Sequence, residues 1–238
     1  STSIYIPSLK YNSPFIIIDS KSTFKGKCKI IINIRCQNGE NLSEEIEWNE
    51  KLIKDVEEMI RNNIKKINQS AKIHIKFKSI HNDKERCPQL MVHAIYRDKG
   101  KFIGDCNHSS EGWTKIKPDN KSQRNSMTIW APYIIDDENK LKWEYALHNV
   151  FSTEKKDVSS LIKIRINTDL GYEFVKNIEK LEPDEITVVN CDELNQSLNF
   201  KEKLKRTASI QFESRHSCIQ GSFFVKTEDG FLGTDHLT

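Results

Sequence analysis

Between Ile73 and Thr114 the chain places His81, Asp83, His93 and His108 within 28 residues. A group of that composition restricts the folds open to a chain, because its ligands must converge on one ion. Imidazole nitrogen and carboxylate oxygen suit zinc, which takes four ligands in a closed tetrahedron where its role is structural. The spacing predicts His81 and Asp83 just past one strand, His93 on a second strand, and His108 beyond a turn at Gly100 and Gly104. Three neighbouring segments would then meet at one metal.

The segments around this cluster have their own periodicities. Residues 1–26 carry Pro7 and Pro14 around two short apolar runs, Ile4–Ile6 and Phe15–Ile18, and read as an irregular leader or an edge strand. Lys27–Cys36 is a β-branched run ending at the Asn38-Gly39 turn signal, which predicts a central strand. Ser43 with Glu44, Glu45 and Glu47 forms a helix start. Trp48, Leu52, Val56, Met59, Ile60, Ile64 and Ile67 then recur at helical spacing, predicting a long amphipathic helix. A strand over Lys72–Lys78, a polar loop after Trp113, a strand over Met127–Trp130 and a helix over Trp143–Ser152 follow.

A boundary is expected near Asp157–Ser160. Beyond it the pattern predicts strand Leu161–Ile166, helix Leu170–Leu181, strand Glu185–Asn190 and helix Glu193–Arg206, a small α/β unit. Two more strand-like runs, Ser209–Glu213 and Ser222–Lys226, lie in the rest. The expected fold class is α+β, with a domain over residues 27–160 and the α/β unit with a C-terminal hairpin over residues 161–238.

Charge narrows the function. The 37 basic residues face 34 acidic ones, a net +3, too little for a committed nucleic-acid binder. No apolar run reaches the 18 or more residues of a membrane span. The six cysteines fit no zinc-ribbon spacing and would allow three disulfides. Asn41, Asn68, Asn107, Asn120 and Asn195 each begin an Asn-x-Ser sequon. With a first residue Ser that suggests processing, they lead to the expectation of a secreted chain whose partner is a protein or peptide.

The order of features resembles the matrixin branch of the metzincin metallopeptidases. The strand Ile73–Ser79, His81-Asn82-Asp83, His93-Ala94, Gly104-Asp105, His108 and Trp113-Thr114 are similar to its strand, His-x-Asp, His-Ala, Gly-Asp, His and Trp-Thr. The resemblance implies a zincin-like domain, a twisted mixed sheet with a long amphipathic helix and an active-site helix. It gives His81, Asp83, His93 and His108 the structural zinc. Two residues, Cys106 and Asn107, stand between Asp105 and His108 where the family has one. Cys106 or Cys87 is therefore an alternative ligand, thiolate binding zinc better than carboxylate.

The catalytic helix of that family needs His-Glu-x-x-His, two imidazoles on one metal with a carboxylate to activate water. Its place is taken by His148-Asn149-Val150-Phe151-Ser152, which keeps one histidine and no base. The implied function is a pseudoenzyme or binding module, with His148 the remnant of the active site. Calcium is not expected, since Lys84–Pro88 offers little to an oxygen-only cage and Glu111 alone remains before Trp113.

Residues 207–238 resemble the start of a chymotrypsin-like serine peptidase of the streptogrisin type, carried by Cys218, Phe223, Val225, Gly230, Phe231-Leu232 and His236. That alternative makes His236 a general base and residues 161–206 a pro-segment, with no Asp or Ser following to complete a triad. A further alternative is a zinc-free secreted interaction protein.

Overall fold

The computed structural model describes residues 2–7, 15–20, 28–36, 39–47, 51–55, 58, 62, 73–81, 90–109, 126–135, 140–149, 160–171, 173–181, 186–191, 194, 206–215 and 219–237. The chain divides into two units, Ser1–Trp113 and Thr114–Thr238.

The first unit contains β1 (Thr2–Ile6), β2 (Phe15–Ser20), β3 (Cys28–Cys36), β4 (Asn41–Glu47), β5 (Lys51–Asp55), β6 (Ile73–His81), β7 (Leu90–Asp98) and β8 (Lys101–Ser109). One sheet has the order β1-β6-β3-β4, and in the other β8, β7, β2 and β5 follow one another. The described pairings are antiparallel. Strict alternation makes β3 what it is. Ile30, Ile32 and Ile34 are buried while Lys29 and Arg35 are exposed, the period of a half-buried strand. Their buried counterparts on the other sheet are Val92, Ala94 and Tyr96. Tyr96 ties the layers together, its hydroxyl donating to the Tyr5 carbonyl at 2.8 Å.

The second unit contains β9 (Ser126–Ile135), β10 (Lys142–Asn149), β11 (Ser160–Thr168), β12 (Glu173–Leu181), β13 (Ile186–Asn190), β14 (Arg206–Arg215), β15 (Ile219–Thr227) and β16 (Gly230–His236). One sheet runs β12-β11-β14-β9, and in the other β13, β10, β15 and β16 follow one another. Ile162, Ile164, Ile166, Ile210 and Phe212 from the first layer share a core with Trp143, Tyr145, Leu147 and Ile219 from the second. This is a sandwich held by aromatic packing, with Tyr145 and Phe212 ring centroids 5.3 Å apart. Three polar side chains carried into that core donate to backbone carbonyls. Trp143 Nε1 donates to Ile134 O at 3.0 Å, Tyr145 Oη to Pro132 O at 2.7 Å and Asn149 Nδ2 to Leu181 O at 3.2 Å.

Numbered from its own first strand, each unit has the sheet orders 1-6-3-4 and 8-7-2-5. One eight-stranded antiparallel topology is thus used twice in the chain.

The expected α+β, zincin-like fold is overturned. A metzincin needs its long helix and active-site helix, but Lys51–Asp55 in the first place and Trp143–Asn149 in the second are strands, and most of residues 56–67 lie outside the described residues. The sequence Ser43–Asp55 forms most of β4 and all of β5, and Glu58, Asn62, Cys191 and Leu194 are the only helical residues among those described. The predicted helices at Trp143–Ser152 and Leu170–Leu181 are β10 and β12. The serine-peptidase resemblance fails too, because β14 pairs with β11 over Leu161–Thr168, so the residues assigned to a pro-segment and those assigned to the peptidase build one sandwich. The strands expected at Lys27–Cys36, Lys72–Lys78, Leu161–Ile166, Glu185–Asn190, Ser209–Glu213 and Ser222–Lys226 are present as β3, β6, β11, β13, β14 and β15.

Candidate functional site

The residues assigned to zinc fall in different places. His81 ends β6, in register with Cys28 of β3, whereas His93 lies on β7 in the other sheet. On β8, His108 is in register with Val92 and Cys106 with Ala94, while His93 is opposite Asn107. His93 and His108 therefore occupy register positions of opposite parity in the β7–β8 pair. Asp83 and Cys87 lie outside the described residues. Among the described residues no group of three or more His, Cys, Asp or Glu is placed to hold a metal ion.

His148 belongs to β10, a strand buried along Trp143–Asn149, and is only 3% exposed. It sits opposite Ile186 and Gln220 in neighbouring strands, so the helix that would aim it at a metal does not exist. His236 ends β16 in register with Ser222. Cys36 and Cys191 are both buried. Burial, reinforced by Glu40, pushes the Cys36 thiol above its ordinary range.

The turn expected at Gly100 is the tip of a hairpin, and what the sequence reading passed over is the ring that this hairpin exposes. β7 and β8 are joined by Lys99-Gly100, with Asp98 opposite Lys101. Both loop residues have positive φ, 48° and 80°, the conformation of a tight two-residue turn whose twist matches the strands. Phe102 pairs with Arg97 and Gly104 with Tyr96, leaving Ile103 as a bulge.

The same frame recurs at the end of the second unit. There Glu228-Asp229 joins β15 to β16, Phe231 pairs with Lys226, Gly233 with Val225, and Leu232 is the bulge. Lys99-Gly100-Lys101-Phe102-Ile103-Gly104 and Glu228-Asp229-Gly230-Phe231-Leu232-Gly233 are therefore equivalent hairpins with different tips. In the second, Phe231 is buried, edge-on to Phe224 at 6.4 Å and capped by the Lys226 ammonium 5.6 Å from the ring centroid. In the first, Ile95 holds the position of Phe224, and Phe102 is 66% exposed.

Phe102 is the most exposed large hydrophobic residue among those described, ahead of Leu170, Trp130 and Val175. Arg97, Lys99 and Lys101 around it are also exposed, three cations against the carboxylate of Asp98. An exposed ring within a cationic collar is complementary to an anionic surface. The repeated Phe-(Ile/Leu)-Gly was the signal available in the sequence.

The architecture defines a class, two antiparallel β-sandwiches of one topology in tandem. No protein-family model matches the chain, and no characterised protein matches it either. No helix among the described residues is long and apolar enough to cross a membrane.

Proposed function

We propose that this chain is a non-catalytic binding module that docks on an anionic partner through the β7–β8 hairpin of its first unit. The observation that carries this reading is the exposure of Phe102 in a frame that buries Phe231. The fold can shelter a phenylalanine at that position, and leaving it in water forfeits the gain of burial. Its use then lies outside the unit. The buried polar groups support the same reading, since Tyr96, Trp143, Tyr145 and Asn149 spend their hydrogen bonds on backbone carbonyls that hold the sandwiches together.

Retention of the full chain on heparin–agarose tests the charge requirement. Lys99→Glu/Lys101→Glu is expected to elute at lower salt than wild type, and matched reversals at the exposed Lys140 and Lys176 to elute close to it. Equal losses for both pairs, with unchanged thermal stability, would reduce the hairpin to ordinary surface.

A further inference from the structure

Resting on that docking reading, we infer that the anionic partner is a lipid bilayer surface, into which Phe102 inserts while Arg97, Lys99 and Lys101 meet the headgroups. A protein partner is the poorer fit. A stable protein interface covers roughly 800 Å² on each side around a buried cluster of anchors. The hairpin tip offers one ring and a two-residue turn. A bilayer requires neither that area nor that cluster, because a single aromatic ring seats itself at the headgroup boundary and the cations need only reach the plane of the phosphates.

The charge pattern is local, which also matters. The chain as a whole carries only +3, so long-range attraction to a polyanion such as nucleic acid is weak. Three cations beside an exposed ring act at short range, and each contributes roughly fivefold to partitioning onto an anionic leaflet. Asp98, opposite Lys101 beside the turn, is buried, and its single charge leaves the tip net positive. Asp105, exposed on β8, lies three positions beyond Phe102.

Co-sedimentation of the full chain with vesicles tests the inference. Vesicles of phosphatidylcholine with about a third phosphatidylserine should carry down the wild type, whereas pure phosphatidylcholine should not, and binding should weaken as salt screens the headgroups. Phe102→Ser should lower partitioning roughly tenfold, Phe102→Trp should retain it, and Lys99→Glu/Lys101→Glu should lower it by a similar factor or more. All three variants should melt with the wild type, because these side chains are exposed. Heparin retention that depends on Lys99 and Lys101 without binding to phosphatidylserine vesicles overturns the bilayer and leaves the docking hairpin standing. Loss of neither property in the variants overturns both. Tighter binding of a single-stranded oligonucleotide than of the vesicles, sensitive to Phe102→Ser, overturns the bilayer in favour of base stacking.

Discussion

Phe102 and Phe231 hold the same place in two copies of one bulged hairpin, and one is 66% exposed while the other is 8% exposed. Register and bulge position are common to both, while the turns differ, Lys99 and Gly100 having positive φ and Glu228 and Asp229 not, and so do the neighbours. Phe224 and the stem of Lys226 build a pocket for Phe231, and Ile95 with Arg97 builds none for Phe102.

Truncating the two rings should therefore have unequal effects. Phe231→Ala is expected to cost about 3 kcal/mol through lost burial and the cavity left behind, whereas Phe102→Ala should change stability by less than about 0.5 kcal/mol. Urea denaturation of each variant measures both. Similar losses at the two positions would mean that Phe102 is packed in solution.

Gly221 is a second sensitive point. A Cβ there would lie 2.5 Å from Leu237 Cδ1 and 2.8 Å from the Ala146 carbonyl oxygen. The backbone also closes tightly, Leu237 N donating to Gly221 O at 2.8 Å. Gly221→Ala should destabilise the chain by about 1–3 kcal/mol. Adding Leu237→Ala should relieve the side-chain clash but not the contact with the Ala146 carbonyl. The double variant should thus fall short of the sum of the singles, as a double-mutant cycle reports.

Tyr145 makes stability depend on alkaline pH. Burial, then the neighbouring Cys191 and Tyr133, hold its phenol well above the ordinary value of 10.0. A group whose folded pKa is raised contributes stability that is whole below its unfolded pKa and is lost as pH rises towards the folded one. Wild-type stability should accordingly fall above about pH 10, and Tyr145→Phe should be flatter in that window. At neutral pH the same variant should be weaker by about 1 kcal/mol, having lost the hydrogen bond to Pro132 O.

At the second hairpin the Lys140 ammonium, 2.9 Å from Glu228, holds the Glu228 carboxyl below its ordinary range. With a lowered folded pKa, the contribution is present above the unfolded value and disappears as pH falls through the folded one. The pair is exposed and its effect on stability is small. Carboxyl resonances followed by NMR should show Glu228 titrating at higher pH in Lys140→Ala than in wild type.

Strands with one buried face were legible in the sequence, and those without it were not. Ile30, Ile32 and Ile34 alternate with exposed or half-buried residues and announce β3. β10 is buried on both faces, so Trp143–Asn149 shows no alternation and its apolar run fits a helix equally well. In β12 a register shift does the misleading. Phe174 and Ile178 are in register with Ile166 and Ile162, and the bulge then brings Leu181, three positions on, opposite Ser160. Positions four and three apart are the signature of an amphipathic helix. Leu42 and Ile46 of β4 fit both periods as well, and the Glu residues between them read as a helix start. The repeated Phe-(Ile/Leu)-Gly marked the position of Phe102 but not its exposure, which follows from what Ile95 and Arg97 fail to cover.

The repeated topology has an evolutionary consequence. Once a sandwich exists in two copies, its hairpin frame is fixed by strand pairing and bulge position, and the tip is free to drift. One copy here carries an acidic tip over a sheltered ring, and the other carries its ring exposed among cations. Since both tips hang on the same register, exchanging residues 97–104 with 226–233 would carry each turn onto the other's strand pair without shifting the pairing of either sandwich.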